Sequence, residues 1–221
     1  MRINILQHTP NEGPGAILMW ANQHGHEVYT YHLYQFNKLP LAEDTDMLVV
    51  LGGPMSPNDQ EPWIELERKL ILDVIKADKP VFGACFGAQQ IAKVLGGTVQ
   101  KSDHKEVGFA PVYLKDTTIP NLPKQLDALH WHEECFSIPR GAKLLFSSDL
   151  LENQGFIYGK KVVGLQFHFE PLANDLREIV VNDGDYTKGS ELKQSPSDIL
   201  AHGVPAQNKD IMANILDFIS R

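Results

Sequence analysis

In Val81-Phe82-Gly83-Ala84-Cys85-Phe86-Gly87-Ala88-Gln89-Gln90 an apolar run stops at a cysteine, and a small-residue helix opens at once behind it. A strand that turns so abruptly into a helix commits the chain to packed β–α units and holds the side chain at the junction clear of the sheet. The N–H groups at the helix start offer donors there, and the helix dipole favours a thiolate. Gly83 and Gly87, two residues to either side, relieve crowding at a tight elbow. On this stretch alone two readings stand: an activated nucleophile, or a buried inert cysteine.

The surrounding pattern supports an α/β architecture. Ile3 to Gln7 reads as a strand, Thr9 to Gly15 as a loop, and Ala16 to His24 as a short helix closed by Gly25. Glu27 to Leu33 is a second strand. Met47 to Leu51 is apolar without alternation, as in a parallel strand covered on both faces. Pro62 to Ala77 is a helix whose stripe is Trp63, Leu66, Leu70 and Val74, with Glu65 and Lys69 paired on the wet side. Pro80 to Ala84 is the next strand and Phe86 to Leu95 the next helix, stopped by Gly96-Gly97.

After Thr98 long helices give way to short strand candidates: Pro111 to Leu114, Leu126 to His130, Lys143 to Phe146, Phe156 to Tyr158 and Val162 to Phe167. This half is expected to carry antiparallel pairs, with Gly159-Lys160 turning a hairpin and the last strand returning to the main sheet. Leu172 to Val181 and Asp210 to Ile219 read as helices, and the polar stretch from Asn182 to Gly203 as loop. The expected fold is a three-layer α/β sandwich with a central mostly parallel sheet and antiparallel additions, spanning residues 1–221 as one domain.

Composition narrows the function classes. A formal net charge of -8 and no long basic run argue against nucleic acid or an anionic membrane as partner. Two cysteines, outside any CxxC pair, suit a reducing compartment rather than a disulfide framework. No apolar run approaches the roughly 18 residues of a membrane span, and Met1 to His8 is too short an apolar stretch for a signal peptide. The cytoplasm is the expected location.

A cysteine nucleophile needs a base and a group to orient it. Gln166-Phe167-His168-Phe169-Glu170 contains both. In extended chain, residues two apart share a side, so His168 and Glu170 would face the site while Phe167 and Phe169 pack. Taken singly, His168 could equally be a hydrogen-bonded sheet histidine, and Glu170 a carboxylate near a helix start. The loop Gly52-Gly53-Pro54-Met55-Ser56-Pro57 follows the third strand, where α/β sheets place ligands. Its glycines permit close backbone approach to a ligand, or simply a flexible turn.

Together these segments resemble the class I glutamine amidotransferases, most closely the stand-alone proteins similar to the glutaminase domain of GMP synthase. The resemblance rests on Gly83-Ala84-Cys85-Phe86-Gly87-Ala88-Gln89, Gln166-Phe167-His168-Phe169-Glu170, Leu51-Gly52-Gly53-Pro54, and Lys105-Glu106-Val107-Gly108-Phe109 followed by Pro111-Val112. It implies a Cys85–His168–Glu170 triad that attacks the side-chain amide of glutamine, forms a γ-glutamyl thioester and releases ammonia. It further implies an oxyanion site at the N–H groups of Gly53 and Phe86, and substrate contacts from Gly52, Gln89, His132 and Glu134. No cofactor is implied.

Two departures bear on substrate. Phe169 stands where the family has proline, and Trp131-His132-Glu133-Glu134 where it commonly has Ser-His-x-Asp. His130 and His132 with Glu133 and Glu134 also suggest a metal site, but a substrate-contacting loop is the preferred reading, with no metal. The chain carries no Gly-x-x-x-x-Gly-Lys-Ser/Thr phosphate loop. Ammonia would therefore pass to a separate synthetase subunit, or the protein would hydrolyse γ-glutamyl bonds alone, in glutamine or a γ-glutamyl compound. A non-catalytic binding or regulatory protein on the same fold is the third reading.

Overall fold

The computed structural model describes residues 1–221. Nine strands form one sheet: β1 (Arg2–Gln7), β2 (Glu27–His32), β3 (Met47–Val50), β4 (Val81–Ala84), β5 (Val99–Leu114), β6 (Gln125–Phe136), β7 (Ala142–Ser147), β8 (Gly155–Tyr158) and β9 (Val162–Leu165). Their order is β2-β1-β3-β4-β9-β8-β7-β5-β6. From β2 to β9 neighbouring strands are parallel; from β9 to β6 they are antiparallel. The last strand thus returns to lie beside β4, as its apolar sequence requires.

The continuous apolar run of β3 has a simple cause. Met47 and Val49 enter one core and Leu48 and Val50 the other. The first core is covered by α1 (Gly15–Gln23) and α7 (Asn208–Ile219), through Ile17, Trp20, Ile211, Ile215 and Ile219. The second is covered by α3 (Pro62–Lys76) and α4 (Phe86–Val94), through Leu70, Ile71, Val74, Ile91 and Ala92. A strand buried on both faces has no polar side to present, so period-two alternation disappears. A smaller cluster joins Val107, Phe109, Leu129 and Trp131 to α5 (Ala173–Asp183) and α6 (Pro196–His202).

Several local expectations change. The buried face of α3 is Ile64, Glu67, Leu70, Ile71 and Val74, while Leu66 is exposed. Glu65 pairs with Arg68, not with Lys69. A one-turn helix, α2 (Leu33–Phe36), follows β2. β5 and β6 are long paired strands whose register slips between Lys101 and Glu106. Their polar residues hide the strand pattern in the sequence because several of them are buried against one another. The segment after α5 is not all loop: a 3-10 turn at Gly184–Thr187 leads to α6, whose N-cap Ser195 accepts from the Asp198 N–H.

The β4–α4 junction is closely packed. A Cβ on Gly87 would overlap the carbonyl oxygen of Val50 and come within 2.6 Å of its carbon, and one on Gly83 would lie 2.6 Å from both the Gly87 carbon and Ile91 Cδ1. The two glycines let α4 start directly against β3. Gly87→Ala is therefore expected to cost about 1–3 kcal/mol or more, the range for overpacking a closed core. Urea denaturation reads this as a lowered midpoint; an unchanged midpoint contradicts the packing described.

Candidate active site

Cys85 sits between β4 and α4 with φ +49° and ψ −110°, a backbone region that non-glycine residues rarely occupy. Its own N–H donates to Leu165 O at 2.8 Å, so the end of β9 clamps the turn. The side chain is buried, yet its sulfur reaches four groups. The Gln166 Nε2 donates to Sγ at 3.7 Å, Sγ lies 3.8 Å from Trp131 O, and the His168 imidazole and the Phe86 N–H are close enough to favour its charged form. The elbow expected from the flanking glycines is present.

After β9 the chain leaves β8 and latches onto β6. The Gln166 N–H still donates to Gln154 O at 2.8 Å, and then the His168 N–H donates to Leu129 O at 2.8 Å. This extended segment is not a regular strand, but its alternation holds. Phe167 and Phe169 pack into the core beside Phe146. On the other side His168 Nδ1 is bonded to Glu170 Oε1. The backbone of Glu170 is held in turn, because its carbonyl accepts from the Ala16 N–H at 2.8 Å at the start of α1. Phe169, standing where the resembled family has proline, is accommodated as a core side chain.

The electrostatics follow from burial. Desolvation alone would push His168 down, but the Glu170 carboxylate and the contact with Cys85 outweigh it and hold the imidazole well above its ordinary range. Burial pushes the Cys85 thiol up, while His168 and the Phe86 N–H pull against that rise. The arrangement therefore sets a strongly basic imidazole beside a thiol whose anion has donors waiting.

The Gly52-Gly53 loop is braced from beneath. His8 donates from Nδ1 to Gly52 O at 3.1 Å, and its Nε2 meets Glu67 Oε2 at 2.8 Å. Gln90 Nε2 donates to the other oxygen of Glu67 at 2.9 Å. Desolvation alone would lower His8, but Glu67 and the Gly52 carbonyl outweigh it and raise it above its ordinary value. A cationic imidazole with both N–H groups used thus anchors the loop. The Gly53 N–H has no acceptor within the protein. A Cβ on Gly52 would displace the Glu12 carboxylate and come within 3.2 Å of His168 Cε1, so glycine there leaves room for both side chains.

The pocket above Cys85 has a volume of about 420 Å³, and Gly53, Gln89, His132, Glu133 and Glu134 belong to its wall. Gln89 is buried and donates to Gln166 Oε1 at 3.2 Å. Glu134 accepts from Ser56 Oγ at 2.8 Å. His132 lies on β6 rather than in a loop, and its Nε2 turns toward Glu106, away from a substrate-contacting role for that atom. His130 and His132 share one side of the strand, but they meet Glu106 of β5, not Glu133 or Glu134. Cys135 is half-buried further along β6.

Three pocket residues were not legible as such. Glu12, from the loop after β1, reaches over Gly52 to His168, and burial raises its carboxyl. The rule that ligands sit beyond strand carboxyl ends applies to that loop as well as to Gly52-Gly53. Asp183, the last residue of α5, and Tyr186, in the 3-10 turn after it, close the far side, and Asp183 Oδ2 accepts from Trp131 Nε1 at 2.9 Å. No local motif marks them; only the return of α5 over the pocket does.

Known proteins share this arrangement of chain. The family model described as glutamine amidotransferase class-I matches residues 17–183. The glutamine amidotransferase-like protein YfeJ of Salmonella typhimurium is 33% identical over 181 residues, covering 77% of this chain and 76% of that protein. A GMP synthase (glutamine-hydrolyzing) of Natranaerobius thermophilus is 29% identical over 186 residues, 78% of this chain, but the chain spans only 35% of that protein's length. The crystal structure of a glutamine amidotransferase from Thermotoga maritima superposes with a TM-score of 0.90 at 28% identity, covering 100% of this chain and 98% of that one.

The buried His8–Glu67 pair gives a pH prediction. A raised histidine stabilises fully below the ordinary imidazole value of 6.5 and loses that contribution as pH rises through the higher folded value. His8→Ala is expected to cost about 3–5 kcal/mol near neutrality, because Glu67 is left buried without its partner. The variant should also lose part of the alkaline fall in stability. Denaturant titrations at several pH values check both; equal losses at all pH values contradict a charged His8.

Proposed function

The chain belongs to the class I glutamine amidotransferase family, and from that membership we propose that it hydrolyses a γ-glutamyl amide through a thioester on Cys85. The observation that carries the proposal is the strained Cys85 turn, which sets the thiol between the His168 imidazole and the Phe86 N–H. A turn that costs conformational energy persists where the surrounding structure over-determines it, and here it aims a nucleophile.

In this reading His168 takes the Cys85 proton as sulfur attacks the side-chain carbonyl of the substrate. The oxyanion forms toward the free N–H of Gly53 and that of Phe86, donors that need not reorganise when charge appears. His168 then gives its proton to the leaving nitrogen, and ammonia or an amine departs. Water, deprotonated by the same imidazole, cleaves the γ-glutamyl thioester and releases glutamate. Glu170 holds the ring in the useful tautomer and favours its charged form in both half-reactions. Gln89, from α4, would position the substrate beside the thiol, with Gly52 leaving room for Glu12 and the His168 ring.

The first reading is a glutaminase that delivers ammonia to a synthetase on another chain, in line with a GMP synthase that is far longer than the matched region. A second reading is favoured by one feature of the pocket. Glu12, Glu133, Glu134 and Asp183 line it against the single cation Lys101. The α-ammonium of a glutamyl group answers one carboxylate, and a leaving group bearing a further positive charge would answer others. Hydrolysis of a γ-glutamyl amine or peptide without any partner fits that balance. Both cysteines are free, as a reducing cytoplasm would keep them. No helix is long and apolar enough to cross a membrane.

Glutamate release from glutamine, γ-glutamyl dipeptides and γ-glutamyl diamines by the isolated protein distinguishes the readings. Preference for the cationic substrates supports the second; turnover of glutamine that rises with a synthetase supports the first. No turnover of any by folded protein, with or without a synthetase, favours a non-catalytic role. Cys85→Ala is expected to abolish release with the fold retained. Glu170→Gln should lower kcat by about 10²–10⁴-fold, with little change in KM, because it disturbs the tautomer rather than binding. Retained turnover in Cys85→Ala would remove the nucleophile assignment.

A further inference from the structure

Behind the pocket wall lies a group that the proposed chemistry does not use. The β5–β6 pairing sets Glu106 opposite His132, and the two-residue period of β6 puts His130 on the same face. His130 Nδ1 and His132 Nε2 are 3.4 Å apart. Glu106 Oε1 lies 3.8 Å from the first, and Glu106 Oε2 3.5 Å from the second. All three residues are buried, with relative exposures of 0–2%.

Their proton inventory does not close. The carbonyls of Ala110 and Glu134 lie beside the two rings and can only accept. His130 Nε2 and His132 Nδ1, the outer nitrogens of the two rings, have no hydrogen-bond partner in the protein. The inward nitrogens, His130 Nδ1 and His132 Nε2, face each other and the Glu106 carboxyl, which burial pushes up to about 7. Acceptor atoms grouped this closely need a proton or a cation among them. Two-coordinate spacing by hydrogen bonds would satisfy one pair at most, whereas a tetrahedral cation satisfies all three. Bonds of about 2.0–2.1 Å to a tetrahedral zinc imply ligand separations of about 3.4 Å.

We propose that Glu106, His130 and His132 form a three-ligand binding site for a zinc-class divalent cation. Gln154 Nε2 donates to Glu106 Oε2 at 2.5 Å and to Ser148 Oγ at 3.0 Å, which holds the carboxyl in place beside the two rings. Ser148 Oγ donates to Glu106 Oε1 at 2.8 Å and would orient the carboxylate, as outer partners of metal ligands do. Two imidazoles with one carboxylate suit zinc rather than magnesium or calcium, which demand oxygen.

The site's place in the fold gives it a structural role. His132 belongs to the pocket wall, and Leu129 of the same strand accepts from the backbone of His168. A cation there braces the part of β6 against which both the pocket and the His168 segment lean. The residues are distinct from Cys85, His168 and Glu170, so occupancy is separable from turnover.

Zinc titration of metal-stripped Cys85→Ala protein tests the proposal, since that background removes the thiol of the pocket as a competing ligand. Calorimetry is expected to give one zinc per chain, with a raised thermal midpoint and no such response to magnesium. Cobalt should give the visible absorption of a tetrahedral nitrogen–oxygen site without a thiolate charge-transfer band. Glu106→Gln and His130→Asn, each checked for folding by circular dichroism, should weaken zinc at least tenfold. Should either variant fail to fold, the cobalt spectrum of the Cys85→Ala protein decides by itself. Absence of saturable zinc binding overturns the site and assigns its centre to a shared proton. A cobalt thiolate band, or zinc binding unchanged in both folded variants, overturns it in favour of another location.

Discussion

Everything in the pocket depends on one backbone turn, the left-handed conformation of Cys85 between β4 and α4. L-residues with a side chain resist that region by about 1–3 kcal/mol, so the fold must repay it elsewhere. It does so with packing: α4 runs close over β3 because Gly83 and Gly87 bring no Cβ, and β9 takes the N–H of Cys85 into the sheet. The same turn lifts the sulfur out of the sheet plane and leaves the first N–H groups of α4 beside it. Geometry that is costly for the chain is thus the geometry a nucleophile needs.

Around that turn the molecule buries several ionisable groups, and each is held by a named neighbour. His8 is kept charged by Glu67 and grips the carbonyl of Gly52, so the loop that would receive an oxyanion is fixed before substrate arrives. His168 is kept basic by Glu170, whose backbone is tied to the first turn of α1. Such preorganisation removes the reorganisation that water would demand at the moment of reaction. The pocket rim adds carboxylates from the loop after β1, from β6 and from the end of α5, which gives its charge no local sequence signature.

The parallel half of the sheet was legible because its strands are short, apolar and punctuated by helices. The Cys85 elbow and the His168–Glu170 alternation were legible for a related reason, since each is a local pattern in which spacing dictates geometry. What escaped the sequence is long-range. Strand β5 was read as four residues because its first part is polar, yet Glu106 is paid for by Ser148 and Gln154 from a distant turn. The segment around His132 looked like loop because its polar residues were assumed wet, while His130 and His132 are buried in a long strand. Leu66 was placed inside by periodicity, but the true face of α3 is rotated by one position and includes the buried Glu67. Glu12, Asp183 and Tyr186 come from loops and ends whose only message is spatial.

The central claim is that Cys85 is a nucleophile poised for a γ-glutamyl carbonyl. The most direct measurement is the intact mass of the protein after exposure to an electrophilic glutamine analogue, followed by peptide mapping. The expected result is one adduct per chain, on Cys85, formed much faster than on the half-buried Cys135 and suppressed by a competing γ-glutamyl substrate. Labelling of Cys135 in preference to Cys85, or at Cys85 no faster than an ordinary thiol and unaffected by substrate, would contradict it.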